Sequence, residues 1–122
     1  MSRIEIVRAA ELQKGESTPG IVRDKAFETE EVLFARSKIA GAVKSGWHHH
    51  GKRHLYGFIV SGRLRFDYGD SGRESVEVGS GDFFHIPVGL VHRDVNPDLN
   101  KDAVVVNILL GKGPAVVNVS GP

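Results

Sequence analysis

Apolar residues fall in short runs that glycine, proline or small polar residues interrupt every few positions, and no stretch of ten or more keeps a 3.6-residue apolar period. Short strands are predicted, not long helices. They are expected at Ile4–Val7, Val32–Ala40, Leu55–Val60, Leu64–Tyr68, Ser75–Val78, Phe83–Ile86, Val91–Val95, Val104–Leu110 and Val116–Val119. Ser61-Gly62 and Gly69-Asp70-Ser71-Gly72 stand between apolar runs, where hairpin turns need positive φ or an Asx turn, so residues 55–78 read as an antiparallel meander. Many short strands at close spacing are the pattern of an all-β sandwich or barrel. No linker, low-complexity segment or fixed-period repeat divides the chain, and its 122 residues suit a single domain, 1–122, with one core.

Composition narrows the function. Hydrophobic residues at 40% and charged residues at 25% give the balance of an ordinary globular protein and exclude a disordered or collagenous chain. The longest apolar-rich run, Ala103–Leu110, is far short of the ~20 residues a membrane-crossing helix needs. Charges interrupt every apolar stretch of Met1–Arg8, which argues against a secretory signal and for a cytoplasmic location. Sixteen Lys and Arg against fifteen Asp and Glu, with no basic stripe, argue against a nucleic-acid partner. Cysteine is absent, so disulfides, thiolate metal sites and cysteine nucleophiles are excluded, and any metal must be held by nitrogen or oxygen.

Four of the six histidines, His48, His49, His50 and His54, lie in one seven-residue window. On an extended strand, residues two apart share a face, so His48 and His50 can converge on one ion while His49 points away. His54 follows a bend at Gly51-Lys52-Arg53 and opens an apolar strand, from which it is expected to turn inward. His92, after the tight turn of Pro87-Val88-Gly89, is the fourth candidate. Imidazole ligands suit Fe, Mn, Ni, Cu, Co or Zn and do not choose among them.

The chain resembles the cupin superfamily, whose two motifs are G-x5-H-x-H-x3-4-E-x6-G and G-x5-P-x-G-x2-H-x3-N. Gly81, Pro87, Gly89, His92 and Asn96 meet the second at every position. The first is met with departures: Gly41 precedes His48 by one residue more than the pattern, His54 stands where glutamate is usual, and Gly62 follows one residue late. The resemblance implies a double-stranded β-helix (jelly-roll-like) barrel. It further implies one divalent first-row metal held in the mouth by His48, His50, His54 and His92, as in small single-domain cupins with four-histidine sites. Four neutral imidazoles would leave the dication uncompensated by any protein carboxylate.

If His54 faces inward, Tyr56 and Phe58 share its face and can wall a substrate pocket. His85, Arg36, Asn107 and Asp94 are further pocket candidates, Arg36 and Asn107 because they interrupt apolar strands and buried polar groups need partners. No Ser-His-Asp signature, phosphate-binding glycine loop or carboxylate pair competes with the metal reading. The leading expectation is a metal-dependent enzyme, a non-haem dioxygenase or related oxidoreductase acting on a small, anionic, enolisable or carboxylated substrate. Its alternative is a non-catalytic cupin that binds a small ligand or a metal as a sensor or accessory module. A homodimer is expected, joined through the apolar segments Ile4–Val7 and Val116–Val119.

Overall fold

The computed structural model describes residues 2–122. Eleven strands form two antiparallel sheets: β1 Gln13–Lys14, β2 Val22–Glu28, β3 Val32–Ile39, β4 His48–His49, β5 His54–Ser61, β6 Arg63–Tyr68, β7 Glu74–Gly79, β8 Phe83–Ile86, β9 His92–Val95, β10 Ala103–Leu110 and β11 Val117–Asn118. The larger sheet has the order β1-β2-β3-β10-β5-β8 and the smaller β11-β4-β9-β6-β7. The helical content is two single 3₁₀ turns, at Ala9–Glu11 and Asp70–Gly72. Among the described residues no helix is long and apolar enough to cross a membrane.

Period-two alternation builds the core between the sheets. On β3 it buries Leu33, Ala35, Ser37 and Ile39, and on β10 it buries Ala103, Val105, Asn107 and Leu109. Leu55 and Ile59 of β5 meet Leu64 and Phe66 of β6 in the same cluster. Gly57, between Leu55 and Ile59, has no side chain because the Phe84 ring occupies the space a Cβ would need. Phe84 in turn packs on Phe66, with ring centroids 4.8 Å apart, and so joins the two sheets.

Three sequence expectations change. Ile4–Val7 forms no strand, and Ile4 and Ile6 are exposed. Residues 55–78 are not one meander: β6 and β7 form the expected hairpin, but the turn at Gly62 carries the chain from the larger sheet to the smaller one. Gly62 has φ 77°, and a Cβ there would lie 2.5 Å from the Asp102 carbonyl oxygen, so the crossing requires glycine. The last apolar run shortens to β11, which pairs with β4 on one side and forms an edge of the smaller sheet. Asn96, the last position of the second motif, ties down the turn that follows β9, donating to the Ile39 and Lys101 carbonyls and accepting from the Asp98 amide.

Ile59 is fully buried whereas its neighbour Val60 faces outward. Ile59→Ala is expected to cost roughly 2–5 kcal/mol, and Val60→Ala at most about 0.5 kcal/mol. Urea denaturation at unchanged m-value measures both, and equal losses would contradict the inward assignment of Leu55, Gly57 and Ile59.

Candidate metal centre

The short strand β4 places His48 directly opposite His92 of β9. His50 follows on the same side, and all three imidazoles are buried, none more than 3% exposed. His49 turns the other way, its Nδ1 accepting the Gly51 amide at 3.0 Å. Each inward ring bonds a backbone carbonyl through Nδ1 at 2.9 Å: His48 to Gly46, His50 to Ala115 and His92 to Leu90. A carbonyl only accepts, so Nδ1 carries the proton and Nε2 of each neutral ring presents a lone pair.

One ring nitrogen from each of the three histidines lies within 4.8 Å of the other two. His50 Nε2 is buried without a hydrogen-bond partner. Burial, and then the neighbouring His92, push His48 and His50 down to about 3. Burial also lowers His92, with Asp94 opposing. Neutral imidazoles with clustered lone pairs are the donor set a divalent first-row metal takes, and this cluster can hold one.

His54 does not join them. Its ring is exposed on the outer face of the larger sheet, where it shares a 2.9 Å hydrogen bond with His85, and Tyr56 stacks on His85 at 4.7 Å. The expected four-histidine set is therefore corrected to three. The cause is the parity of β5: Leu55, Gly57 and Ile59 face the core, which sends His54, Tyr56 and Phe58 outward. Read with four residues after His50 instead of three, the first motif's glutamate position falls on Leu55, and Gly62 then follows in step. Leu55 lines the cleft beside the histidines, so the site carries an aliphatic side chain where the family pattern has a carboxylate.

Tyr56, Phe58, His85 and Arg36 are likewise moved out of the expected pocket. Phe58 packs on Phe83 on the outer face, and Arg36 lies 3.3 Å from Asp24. Asn107 and Asp94 do face inward. Asn107 donates to Ser37 Oγ at 3.0 Å, and Asp94 Oδ1 lies 3.7 Å from His48 Nε2 and 3.8 Å from His92 Nε2.

The sequence reading missed Arg23. It lies on β2 opposite Ser37, one of the inward residues of β3, and lines the same cleft. Its Nη1 donates to Thr18 Oγ1 at 2.7 Å and to the Glu16 carbonyl at 3.2 Å, which holds the guanidinium in place. An adjoining cleft shares Arg23, His50, Leu55 and Asn107.

The buried histidines give stability a defined pH dependence. In the unfolded chain these rings have an ordinary pKa of ~6.5, whereas folded they resist protonation, so unfolding takes up protons below that value. The metal-free protein is expected to lose thermal stability from pH 7 to pH 5, above the range of ordinary carboxylates, with a shallower slope in His50→Gln. A Tm constant over that interval would show that these rings are not held neutral by burial.

The cupin domain family matches residues 38–109, more than half of the chain. No curated protein sequence matches. Several solved structures share the fold. A protein with a double-stranded β-helix domain from Klebsiella pneumoniae is 14% identical, with TM-score 0.75 over 96% of this chain and 98% of that one. The polyketide cyclase RemF from Streptomyces resistomycificus is 18% identical, with TM-score 0.76 over 96% and 86%. Oxalate decarboxylase from Bacillus subtilis, described with Mn(II) centres, is 18% identical, with TM-score 0.72 over 88% of this chain and 30% of that one. With both sheets in the double-stranded β-helix arrangement and the family match spanning the three histidines and β10 as far as Leu109, the chain belongs to the cupin family.

Proposed function

We propose that this cupin is a metal-dependent enzyme, a non-haem dioxygenase or related oxidoreductase that acts on a small enolisable or carboxylated anion. The observation that carries the reading is the joint presence, in one cleft, of three neutral imidazoles with clustered lone pairs and the guanidinium of Arg23. His48, His50 and His92 would hold the ion, and a first-row dication supplies Lewis acidity and, for iron, manganese or copper, one-electron redox chemistry. Three protein ligands leave coordination positions for a chelating substrate. Likeness to a manganese protein that decarboxylates oxalate is in keeping with this chemistry.

The chain's own residues bind and orient. Arg23 is fixed by Thr18 and Glu16 and offers a charge-assisted contact to a carboxylate or enolate. Leu55, Leu64, Phe66, Phe84 and Ile86 line the cleft and limit water around it. The Asn107–Ser37 pair adds polar atoms on the wall opposite the smaller sheet.

Metal analysis of protein purified without an affinity tag, followed by oxygen-uptake assays of each metal-loaded form with small 2-oxo acids, enediols and catechols, tests the reading. Substrate-dependent uptake is expected. Arg23→Met should weaken anion binding about 10- to 100-fold, the equivalent of losing a charge-assisted hydrogen bond of ~1.5–3 kcal/mol, with metal content unchanged. Tight binding of such anions without turnover in any metal form would overturn the enzyme reading and favour a sensor or accessory module.

The same proposal takes the protein as a homodimer, now through the outer face of the larger sheet. Phe34, Tyr56, Phe83 and Leu110 are all exposed there, and a net charge of +1 gives two copies little mutual repulsion. Light scattering is expected to give twice the 13.3 kDa chain mass, and Phe83→Glu is expected to return it to the monomer value. A wild-type monomer at micromolar concentration would contradict this arrangement.

A further inference from the structure

The replacement of the motif glutamate by Leu55 leaves three neutral imidazoles beside a buried carboxylate that, among the described residues, has no ion-pair partner within 4.0 Å other than those rings. Asp94 is 8% exposed, and its Oδ1 is buried without a hydrogen-bond partner. No cationic side chain among the described residues lies within ion-pair distance of it; its nearest charged-type neighbours are the Nε2 atoms of His48 and His92, at 3.7 and 3.8 Å. In the neutral rings those nitrogens carry no proton, because the one ring proton sits on Nδ1 and is donated to a backbone carbonyl. An acceptor oxygen therefore faces two acceptor nitrogens. Such a contact is unfavourable unless a cation lies among the three atoms.

We propose that Asp94 is the carboxylate ligand of the metal centre and replaces, from β9, the glutamate that the family pattern places on β5. The inference rests on the metal reading above and adds to it a ligand no motif position assigns. Strand geometry supports it: His92 and Asp94 are two apart on β9, so both project to the inner side. Asp94 is also anchored, its amide donating to Ser45 Oγ at 2.9 Å and its carbonyl accepting from the Ser45 amide at 2.8 Å. Two ligands of one first-row ion stand roughly 3.0–3.6 Å apart for bond lengths of ~2.0–2.2 Å. The separations from His48 and His92 exceed that range by tenths of an ångström, and Asp94 stands outside the mutually close group that the three histidine nitrogens form, so ligation requires its χ angles to turn the carboxylate toward His50. Asp94 gives the site one negative charge in place of the one lost at Leu55, and leaves Arg23 to the substrate.

The test is titration of metal-free protein with Co(II), followed by the visible ligand-field bands and by metal content after gel filtration. Wild type is expected to bind one Co(II), and the isosteric Asp94→Asn to bind it at least about 10-fold more weakly with shifted bands. Wild-type affinity and an unchanged spectrum in Asp94→Asn would overturn the assignment of Asp94 while leaving the three-histidine site standing. Failure of wild type itself to bind Co(II) would instead overturn the metal reading and this one with it. A second measurement needs no variant: in protein labelled with 13C at the aspartate carboxylates, Co(II) is expected to shift one carboxylate infrared band, and no shift would overturn the assignment. Should Asp94→Asn not fold, that labelled wild type decides the question.

Discussion

Three hydrogen bonds to backbone carbonyls govern the centre. A neutral imidazole has one donor and one acceptor nitrogen, and a buried donor without a partner costs about 1–3 kcal/mol. By giving Nδ1 of His48, His50 and His92 to the carbonyls of Gly46, Ala115 and Leu90, the fold meets that demand and commits every Nε2 to the cleft. The chemistry of the site follows from where these carbonyls lie: Gly46 just before β4, Leu90 in the turn before β9, and Ala115 in the segment that leads to β11.

Strand parity is the second determinant, and it explains what the sequence could and could not convey. His48, His50 and His92 were legible because two-residue spacing on a strand and an intact second motif each place an imidazole inward. The orientation of β5 was not, since both of its faces are apolar: Leu55 and Ile59 on one, Tyr56, Phe58 and Val60 on the other. Alternation alone cannot rank two such faces. The tie is broken by Gly57, whose missing side chain admits the Phe84 ring, and this is a contact between positions 27 residues apart. One residue of ambiguity in motif spacing was enough to put His54 in the place that Leu55 holds.

Arg23 was hidden for a related reason. A strand is recognised by alternating apolar residues, but the inward positions of β2 are Arg23 and Lys25, opposite Ser37 and Ala35. Such a strand lines a polar mouth and so lacks the signal by which strands are found. The all-β architecture survived this omission because the core strands β3, β5, β6 and β10 each carry a clear apolar face, whereas the residues that would contact a substrate sit where the pattern breaks down.

The bond from His50 to the Ala115 carbonyl spans 65 residues and has a mechanical side. Arg53 reinforces it by donating to the Gly113 carbonyl at 2.9 Å, and β11 continues the attachment by pairing with β4. The segment after β10 is thus a strap buckled onto one of the ligands. Loosening the strap frees the His50 ring to rotate, and by thermodynamic reciprocity an ion that fixes the ring must tighten the strap. An ion held at the centre would thereby be felt in a segment remote in sequence, half buried through Ala115 and Val116, whose amide protection would rise with occupancy.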